Sequence, residues 1–352
     1  MAKKTIAVLF GGQSSEHEIS CLSAVTIVNA IDTSVYNVVM IGITREGHWL
    51  LTDSAEAIKN GTWKNGSVHA VISPDAVRKE IICMKRTGTH SIPVDVVFPV
   101  LHGLKGEDGT VQGLLELAGL PYIGCGVIAS ALGMDKLYTK IVVERLGIAQ
   151  AAYLPVMKSE LSDMEAAVAG IESRLSYPVF VKPSNAGSSQ GISKAHNKKE
   201  LQEALWKASE HDEKLLVEET IIGRELECAV LGGREAEASG IGEILTVSEF
   251  YDYDSKYHDT ASRTVIHPEL PEGKAEEIRQ AAVRIFKALD GYGLSRVDFF
   301  LEQDTNRVIF NEINTLPGFT GISMYPMLWK AKGMDIRTIV AKQIALAYER
   351  RG

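Results

Sequence analysis

The sequence lacks the features that mark several specialised classes of protein. Its four cysteines lie far apart and form no CxxC pair, so neither a zinc site nor a disulfide framework is indicated, and a reducing compartment is expected. No apolar run approaches the roughly eighteen residues that a membrane helix needs. The apolar stretch near the N-terminus is too short for a signal peptide. We therefore expect a cytoplasmic protein with no membrane partner.

An excess of basic residues is also absent. The 37 lysines and arginines are outnumbered by 45 aspartates and glutamates, which gives a net charge of -8. Because a nucleic-acid groove needs a basic face, no nucleic-acid partner is expected. A few placed lysines and a divalent cation can still offset phosphate charge locally, so nucleotide binding is allowed. The 352 residues, 45% of them hydrophobic, suit a globular protein of two or three domains.

Apolar strands and amphipathic helices alternate along the chain. Strands are predicted at Thr5–Phe10, Tyr36–Gly42 and Val94–Val100, with helices around them, which is typical of a parallel α/β sheet. A long helix is predicted over Ile128–Leu146, followed by strands around a glycine-rich loop that indicate a smaller α+β domain. The last third again alternates strands and helices and ends in an amphipathic helix at Ile336–Glu349.

Two strands of the last third carry charged residues at matched positions. They flank a polar turn at residues 302–306, and the side chains of each strand alternate between its two faces. A hairpin folded about this turn places Asp298 opposite Glu312 and Arg296 opposite Asn314, about 5 Å apart at Cβ. Two carboxylates this close repel each other unless cations hold them ionised, which Arg296 and a Mg²⁺ ion would do. A plain ion-pair network is the alternative.

A loop rich in glycine and serine offers donors for phosphate oxygens. It follows Lys182 at a strand end and runs over residues 183–191, without the Gly-Lys-Ser/Thr ending of a Walker A loop. Lys136, on the preceding helix, could point to the same place. The alternatives are a flexible surface hairpin and a solvated lysine.

Two further patterns are ambiguous. Glu218, Glu219 and Glu225 lie at a strand edge, where they are either solvated or acceptors for adenine and ribose groups. Gly124–Ala129 fits the dinucleotide pattern G-x-G-x-x-A, but the strand before it is short and the acid that should follow, Glu144, lies inside a helix. A tight turn between domains explains this pattern better than an NAD site does.

Six spaced motifs, in their order, resemble those of the D-alanine–D-alanine ligases of the ATP-grasp superfamily, nearly from end to end. They are Gly11–Ser20, His102–Gly113, Lys182–Gly191, Phe250–Tyr257, Arg296–Asp298 and Asn311–Gly318. The resemblance implies a three-domain ATP-grasp architecture of α/β and α+β class. The N-terminal α/β domain, with its parallel sheet, would span residues 1–124, the small central domain 125–219 and the C-terminal domain 220–352.

The resemblance also implies the reaction. ATP would phosphorylate the carboxylate of one D-alanine, and the amine of a second would attack the acyl phosphate to give D-alanyl-D-alanine for peptidoglycan precursors. D-alanine and ATP would be the partners, with Mg²⁺ or Mn²⁺ as the metal cofactor. A homodimer is expected because dimers are common among similar enzymes.

The family resemblance implies which residues bind the nucleotide and the metal. The nucleotide would be held by Lys136, Lys182, Ser189, Glu218, Glu219, Ile221, Glu225 and Lys256. One or two Mg²⁺ ions would be bound by Asp298, Glu312 and Asn314.

Four residues would serve the first amino acid. Glu16 would bind the ammonium group of the first D-alanine, and His102 would lie beside that substrate. Ser188 and Tyr257 would hydrogen-bond with Glu16 and fasten a lid that keeps water from the acyl phosphate.

The second half of the site follows from the same resemblance. Arg296 and the backbone near Gly318 would stabilise the oxyanion, and Ser323 would anchor the carboxylate of the second substrate. The second substrate is expected to be D-alanine, since Tyr257 is neutral where D-lactate enzymes tend to carry a histidine, and Met324 suits a methyl side chain.

Other functions remain open at this point. D-serine or D-lactate could be the second substrate, the enzyme could be another ATP-grasp carboxylate–amine ligase, or the chain could be a nucleotide-binding regulatory protein without chemistry. Glu16 and His102 argue against another type of ligase. The intact charged residues argue against a loss of chemistry.

Overall fold

Three β-sheets form the framework of the computed structural model, which describes residues 3–187, 190–245 and 263–350. The first sheet contains β1 (Lys4–Gly11), β2 (Tyr36–Ile43), β3 (Trp49–Thr52), β4 (His69–Ile72), β5 (Glu80–Lys85), β6 (Gly88–Pro93) and β7 (Val96–Val100). Its order is β6-β5-β4-β3-β2-β1-β7. The predicted parallel pairing is confirmed for β1 with β2 and β7, but β3 to β6 pair antiparallel. In this part of the sheet strands that follow one another along the chain are also neighbours, and such strands pair antiparallel without a crossover.

The other two sheets are antiparallel. The central sheet contains β8 (Tyr153–Met157), β9 (Val179–Pro183), β10 (Ser193–Ala195) and β11 (Lys214–Glu219), in the order β10-β9-β11-β8. The C-terminal sheet contains β12 (Gly223–Gly232), β13 (Ala236–Leu245), β14 (Arg263–Ile266), β15 (Gly293–Glu302) and β16 (Val308–Asn314). Its order is β14-β13-β12-β15-β16, which places the predicted hairpin at one edge, next to β12.

Ten helices cover these sheets in the described part of the chain. They are α1 (His17–Ala30), α2 (Ala55–Lys59), α3 (Thr110–Leu117), α4 (Val127–Met134), α5 (Lys136–Glu144), α6 (Met164–Glu172), α7 (Lys198–Ser209), α8 (Lys274–Ala288), α9 (Met324–Ala331) and α10 (Ile336–Glu349). Short 3-10 turns lie at Thr62–Asn65 and Lys158–Asp163. None of the helices within residues 3–187, 190–245 and 263–350 is long and apolar enough to cross a membrane.

The single helix predicted over Ile128–Leu146 is wrong, because two helices meet at Asp135. The backbone of Asp135 is extended, with φ -84° and ψ 102°, and its carboxylate accepts from the N–H groups of Leu137 and Tyr138 at 3.1 and 3.2 Å. Aspartate is a strong N-cap, so it starts a new helix here. The break makes Lys136 the first residue of α5.

The cores show how the three sheets are combined. One apolar cluster joins the first and last thirds of the chain, with Phe10 and Ile27 packed in the same core as Trp329 and Ile344. A second joins α4 and α5 to α8 and the C-terminal sheet. The central sheet has a cluster of its own, confined to residues 156–217 and covered by α6 and α7. The packing therefore binds the two outer sheets into one body.

Candidate active site

One cavity, lined by residues from all three thirds of the chain, collects most of the candidate residues. Among its lining are nine of them, namely Glu16, His102, Lys136, Arg296, Glu312, Asn314, Gly318, Ser323 and Met324. Six other described candidates are not among the lining residues, namely Lys182, Glu218, Glu219, Ile221, Glu225 and Asp298. Ser188, Ser189, Lys256 and Tyr257 fall outside the described residues.

The predicted register of the carboxylate hairpin is confirmed. Asp298 pairs with Glu312, and Arg296 pairs with Asn314. Beyond Asp298 a bulge shifts the pairing by one residue, so that Asn311 is the extra residue on β16. Asn311 and Glu312 both line the cavity, although neighbours on a regular strand point to opposite faces. The bulge therefore lies in the part of β16 that lines the cavity.

A third carboxylate, which the sequence analysis missed, completes this row. Glu227 on β12 pairs with Asp298, so that the acids of three neighbouring strands, Glu227, Asp298 and Glu312, lie side by side. Glu227 is 5% exposed and lines the cavity. The signal in the sequence was an acid on the face of the strand that Glu225 also occupies, opposite to the apolar face of Leu226.

Arg296 is held by two of these acids. Its Nε and one terminal nitrogen each donate to a carboxylate oxygen of Asp298 at 2.8 Å, and Nε also lies 3.1 Å from Glu227 Oε2. Asn314 donates its amide to Asp298 at 3.2 Å. Burial lowers the pKa of Arg296, but Asp298 and Glu227 outweigh it and raise the pKa well above its usual value. The guanidinium is therefore a permanent, fixed cation at the cavity wall.

The oxygen donors around this row fit a hard cation in chemistry. Three carboxylates face a single arginine, and an amide oxygen of Asn314 or Asn311 is close by, which is the ligand type that Mg²⁺ prefers. In residues 3–187, 190–245 and 263–350, however, no group of three or more His, Cys, Asp or Glu side chains has the arrangement of a metal site. Both Asp298 oxygens are engaged by Arg296, so metal binding requires Asp298 to share or exchange this contact.

Lysines approach the cavity from α5 and from β9. Lys136 donates to the carbonyl of Ala186 in the glycine-rich loop at 2.7 Å. Behind it, Glu218 lies 2.5 Å from Lys182 and 2.6 Å from Lys140. Burial raises the pKa of Glu218, but the two lysines outweigh it and bring the pKa to about 2. Sequence reasoning missed Lys140, although it follows Lys136 by one helical turn and so shares its face.

The remaining nucleotide candidates lie around the junction of two sheets. Glu219 accepts from the N–H of Ala152 at 2.8 Å, and Ile221 is in the short connection from β11 to β12. Burial lowers the pKa of Lys182, whereas Glu218, then Glu312 and Glu225, raise it by a larger amount in total. Lys182 thus lies in the field of acids from both the central and the C-terminal sheet.

Glu16 is placed by the turn before α1 and by two glycines. Glu16 is the N-cap residue of α1, and no side chain caps this helix. Ser14 Oγ donates to the carbonyl of His102 at 2.6 Å and accepts from the N–H of Glu16 at 3.2 Å. A Cβ at Gly187 would lie 2.5 Å from Glu16 Oε1, and one at Gly103 would lie 3.4 Å from it. The carboxylate therefore rests against glycine backbone of two separate loops.

His102 is a buried residue that contacts two other parts of the chain, and it is not an exposed loop residue. It is 2% exposed, Nδ1 donates to the carbonyl of Leu316 at 2.9 Å, and Nε2 lies 3.1 Å from Ser23 Oγ. Glu107, which was not singled out from the sequence, lies 3.5 Å from Nδ1. Burial raises the pKa of Glu107 to about 7. Burial lowers the pKa of His102, but Glu107, Glu16 and the carbonyl of Leu316 together outweigh it and raise the pKa. The pair thus holds protons more tightly than the free side chains do.

The candidates for the second amino acid surround the start of α9. Ser323 is its N-cap residue, and its hydroxyl accepts from the N–H of Thr320 at 3.0 Å instead of capping the helix. A Cβ at Gly318 would lie 2.8 Å from Ser323 Oγ, so the two residues are in close contact. Met324 is 4% exposed and packs on Gly242 of β13. This helix start presents unpaired backbone N–H groups of the kind that bind carboxylates.

The comparisons with known proteins agree with this arrangement. Family models described as the N-terminus and the C-terminus of D-ala D-ala ligase match residues 5–125 and 142–345. The D-alanine–D-alanine ligase of Acetivibrio thermocellus is 51% identical, over 99% of this chain and 96% of that protein.

Solved structures show the same relationship. The VanG D-Ala:D-Ser ligase from Enterococcus faecalis superposes with a TM-score of 0.88 and is 41% identical, covering 98% of this chain and all of that one (100%). The D-alanine–D-alanine ligase from Coxiella burnetii has a TM-score of 0.87 at 36% identity, covering 99% of this chain and 95% of that one. The resemblance drawn from the motifs is confirmed, and the chain belongs to the D-alanine–D-alanine ligase family.

Proposed function

We propose that this protein uses ATP to join two D-alanine molecules into D-alanyl-D-alanine, with release of ADP and phosphate. The observation that carries the proposal is a single cavity whose lining includes Arg296 and Glu312 together with Glu16 and Ser323. A fixed cation, an anion for an ammonium group and a carboxylate anchor are the groups that two amino acids need. The 51% identical relative from Acetivibrio thermocellus, a D-alanine–D-alanine ligase by name, supports the choice of substrate.

In the first step a carboxylate oxygen of the first D-alanine attacks the γ-phosphorus of ATP, and ADP leaves. Glu16 binds the ammonium group of this D-alanine, and His102 fixes the loop beside it. Lys136 and Lys182 neutralise phosphate charge, and Mg²⁺, held by Asp298, Glu312 and Asn314, would supply further electrostatic stabilisation of the phosphoryl group. Glu218, Glu219 and the backbone of Ile221 would contact adenine, and Glu225 the ribose.

In the second step the free amine of the second D-alanine attacks the acyl phosphate, and phosphate leaves from the tetrahedral intermediate. Ser323, at the N-terminus of α9, anchors the carboxylate of this substrate. Arg296 and the N–H at Gly318 stabilise the oxyanion, because preorganised donors act most strongly on charge that develops in the transition state. The roles of four further residues rest on the family resemblance alone. Ser188 and Tyr257 would hydrogen-bond with Glu16 and fasten the lid, and Ser189 and Lys256 would contact the nucleotide.

The experiment is incubation with ATP, Mg²⁺ and D-alanine, with phosphate and dipeptide both measured. We expect equal amounts of the two products. Phosphate release that depends on D-alanine but yields no dipeptide would overturn the proposal. The predicted cytoplasmic location, homodimer and three domains of residues 1–124, 125–219 and 220–352 are part of the same proposal.

A second candidate, D-alanine–D-serine ligation, is favoured by the 41% identical VanG relative, which is a D-Ala:D-Ser ligase. Met324, an apolar side chain beside the anchor for the second substrate, favours a methyl group over a hydroxymethyl group. A competition of D-alanine with D-serine and D-lactate across pH decides the question. D-serine incorporation in excess over D-alanine would establish the second candidate, and preferred D-lactate at neutral pH would contradict the argument from Tyr257.

A further inference from the structure

A buried lysine behind the cavity has no part in the reaction described above. Lys140 is 2% exposed and lies on α5, one turn after Lys136. Burying an ammonium group is unfavourable unless an anion compensates its charge. Glu218 Oε1 supplies this anion at 2.6 Å, and the ring of Tyr153 lies 5.2 Å from the ammonium nitrogen.

Glu218 connects this lysine with the one proposed to contact phosphate. Its second oxygen, Oε2, lies 2.5 Å from Lys182 Nζ, so each oxygen of one carboxylate contacts one lysine. The side chains of Lys140, Glu218 and Lys182 are only 3%, 6% and 16% exposed. The triad therefore contains two positive charges and one negative charge at a place that water barely reaches.

The pairing of β9 and β11 explains how the triad forms. Glu218 pairs with Phe180, and Leu216 pairs with Lys182, so Glu218 and Lys182 are diagonal neighbours on one face of the central sheet. The opposite face carries Val181 and Val217, which belong to the central core. Lys140 approaches from α5, which packs with the C-terminal sheet. The triad thus crosses the boundary between the central sheet and the body formed by the outer sheets.

We propose that Lys140 is a positioning residue, which acts through Glu218 to hold Lys182 in place for the phosphates of the nucleotide. The inference rests on the proposed function, which assigns Lys182 to phosphate. Lys140 fixes one oxygen of Glu218, and the other oxygen is then directed at Lys182. Without Lys140, the carboxylate can follow Lys182 as it moves; without Glu218, two buried ammonium groups face each other.

The test compares Lys140→Met, Glu218→Gln and the double variant, with ADP binding in the presence of Mg²⁺ measured by calorimetry. Lys140→Met should weaken ADP binding about tenfold, since a charge-assisted contact is lost. Glu218→Gln should weaken it about a hundredfold, because it leaves two buried cations without their anion and also changes the proposed adenine contact, a loss that the double variant shares. The double variant should bind ADP more tightly than Glu218→Gln alone, because one of the two facing cations is gone. Lys199→Met, at a lysine that is 85% exposed, is the matched control and should bind like the parent.

Two results would overturn the inference. The first is an ADP affinity of Lys140→Met within about twofold of the parent, which is the size of an ordinary surface effect. The second is a double variant that binds ADP no more tightly than Glu218→Gln. If Lys140→Met does not fold, the comparison of the double variant with Glu218→Gln decides alone. The dipeptide assay on the parent enzyme is separate, so a parent that binds ADP but makes no dipeptide contradicts the proposed function and leaves this test intact.

Discussion

At the scale of single residues, Arg296 is the point on which the polar side of the cavity depends. It compensates Asp298 at 2.8 Å and Glu227 at 3.1 Å, and its own side chain is only 18% exposed. Removing one partner of a buried ion pair is far more harmful than removing a surface charge, because the partner that remains is both charged and desolvated. Three contacts hold the guanidinium in one position. Arg296 can therefore stabilise the fold and serve the proposed chemistry from the same position.

We expect Arg296→Met to lower the free energy of unfolding by about 3–5 kcal/mol at neutral pH. The matched control is Arg307→Met on the same hairpin, since Arg307 is 59% exposed and lies 3.9 Å from Glu302. That exposed pair should contribute less than about 1 kcal/mol. Urea denaturation measures both, and equal effects of the two variants would show that the buried cluster has no special role.

Glu312 lines the cavity, as Arg296 does, and both residues are partly buried. We expect Glu312→Gln to lower kcat by about a hundredfold or more, as does removal of a group that acts on transition-state charge, with little change in the thermal midpoint. Glu302→Gln, at the turn end of the same hairpin, should keep full activity. Retained activity in Glu312→Gln would remove this residue from the proposed metal site.

At the scale of elements, two loops from different thirds of the chain meet at Glu16. The glycine-rich loop after β9 can approach only because Gly187 has no side chain, since a Cβ there would lie 2.5 Å from Glu16 Oε1. The loop after β7 brings His102 within 2.9 Å of the carbonyl of Leu316, a residue that follows β16 along the chain. Close packing of loops therefore shapes the proposed site of the first substrate.

Gly187→Ala should raise KM for the first D-alanine by about tenfold to a hundredfold, because a displaced Glu16 misplaces the ammonium group. Steady-state kinetics at saturating ATP measures this effect. Gly170→Ala in α6 is the control, as a Cβ there has no neighbour within 4 Å; it should leave KM unchanged and stabilise the helix by up to about 1 kcal/mol. An unchanged KM in Gly187→Ala would mean that the loop lies elsewhere in the working enzyme.

The burial of Glu107 predicts a pH dependence of stability. Burial raises the pKa of Glu107 from 4.5 to about 7, so the folded protein holds this proton more tightly than the unfolded chain does. This contribution is complete below pH 4.5 and is lost as the pH rises to about 7, by on the order of 3 kcal/mol. The raised pKa of His102 acts in the same direction.

Denaturation of the parent and of Glu107→Gln between pH 4.5 and roughly pH 7.5 tests this prediction, because this range spans the ordinary and the raised pKa of Glu107. The variant should lose most of the downward slope of stability with pH, and Glu272→Gln at an exposed position should keep it. Parallel curves for the parent and Glu107→Gln would contradict the assignment of the slope to this carboxyl group.

At the scale of the whole molecule, the apolar cores join the two outer sheets into one unit and leave the central sheet as a second unit. Phe10 and Trp329 belong to one cluster, although more than three hundred residues separate them. The central sheet packs within itself over residues 156–217. Its links to the rest near the cavity are polar, such as the triad around Glu218, and polar contacts between units allow relative motion more readily than a shared apolar core.

We therefore expect hydrogen exchange to resolve two cooperative units. Residues 156–217 should open together at lower free energy, and the outer sheets should open together near the global free energy of unfolding. Amides of β1 and β15 in the two outer sheets should share one protection level. Loss of protection in β1 while β15 stays protected would contradict a shared core.

The family, the parallel strands β1, β2 and β7 and the register of the carboxylate hairpin could all be predicted from the sequence. These features are encoded locally, because alternation along two strands and a short polar turn leave one pairing that keeps the apolar faces together. Local patterns did not reveal the break at Asp135, where a capping side chain overrides a continuous apolar periodicity.

The partners of distant side chains could not be predicted from the sequence, because they depend on how the sheets and helices pack. Glu227 joins Asp298 because β12 is the neighbour of β15, and Lys140 of α5, which packs with the C-terminal sheet, reaches Glu218 in the central sheet. Neither the order of the strands nor the placement of the helices can be predicted from the apolar periodicity of a single segment. They follow from the burial of several apolar faces at once, so the buried charges that tune the site emerge only when the chain is folded.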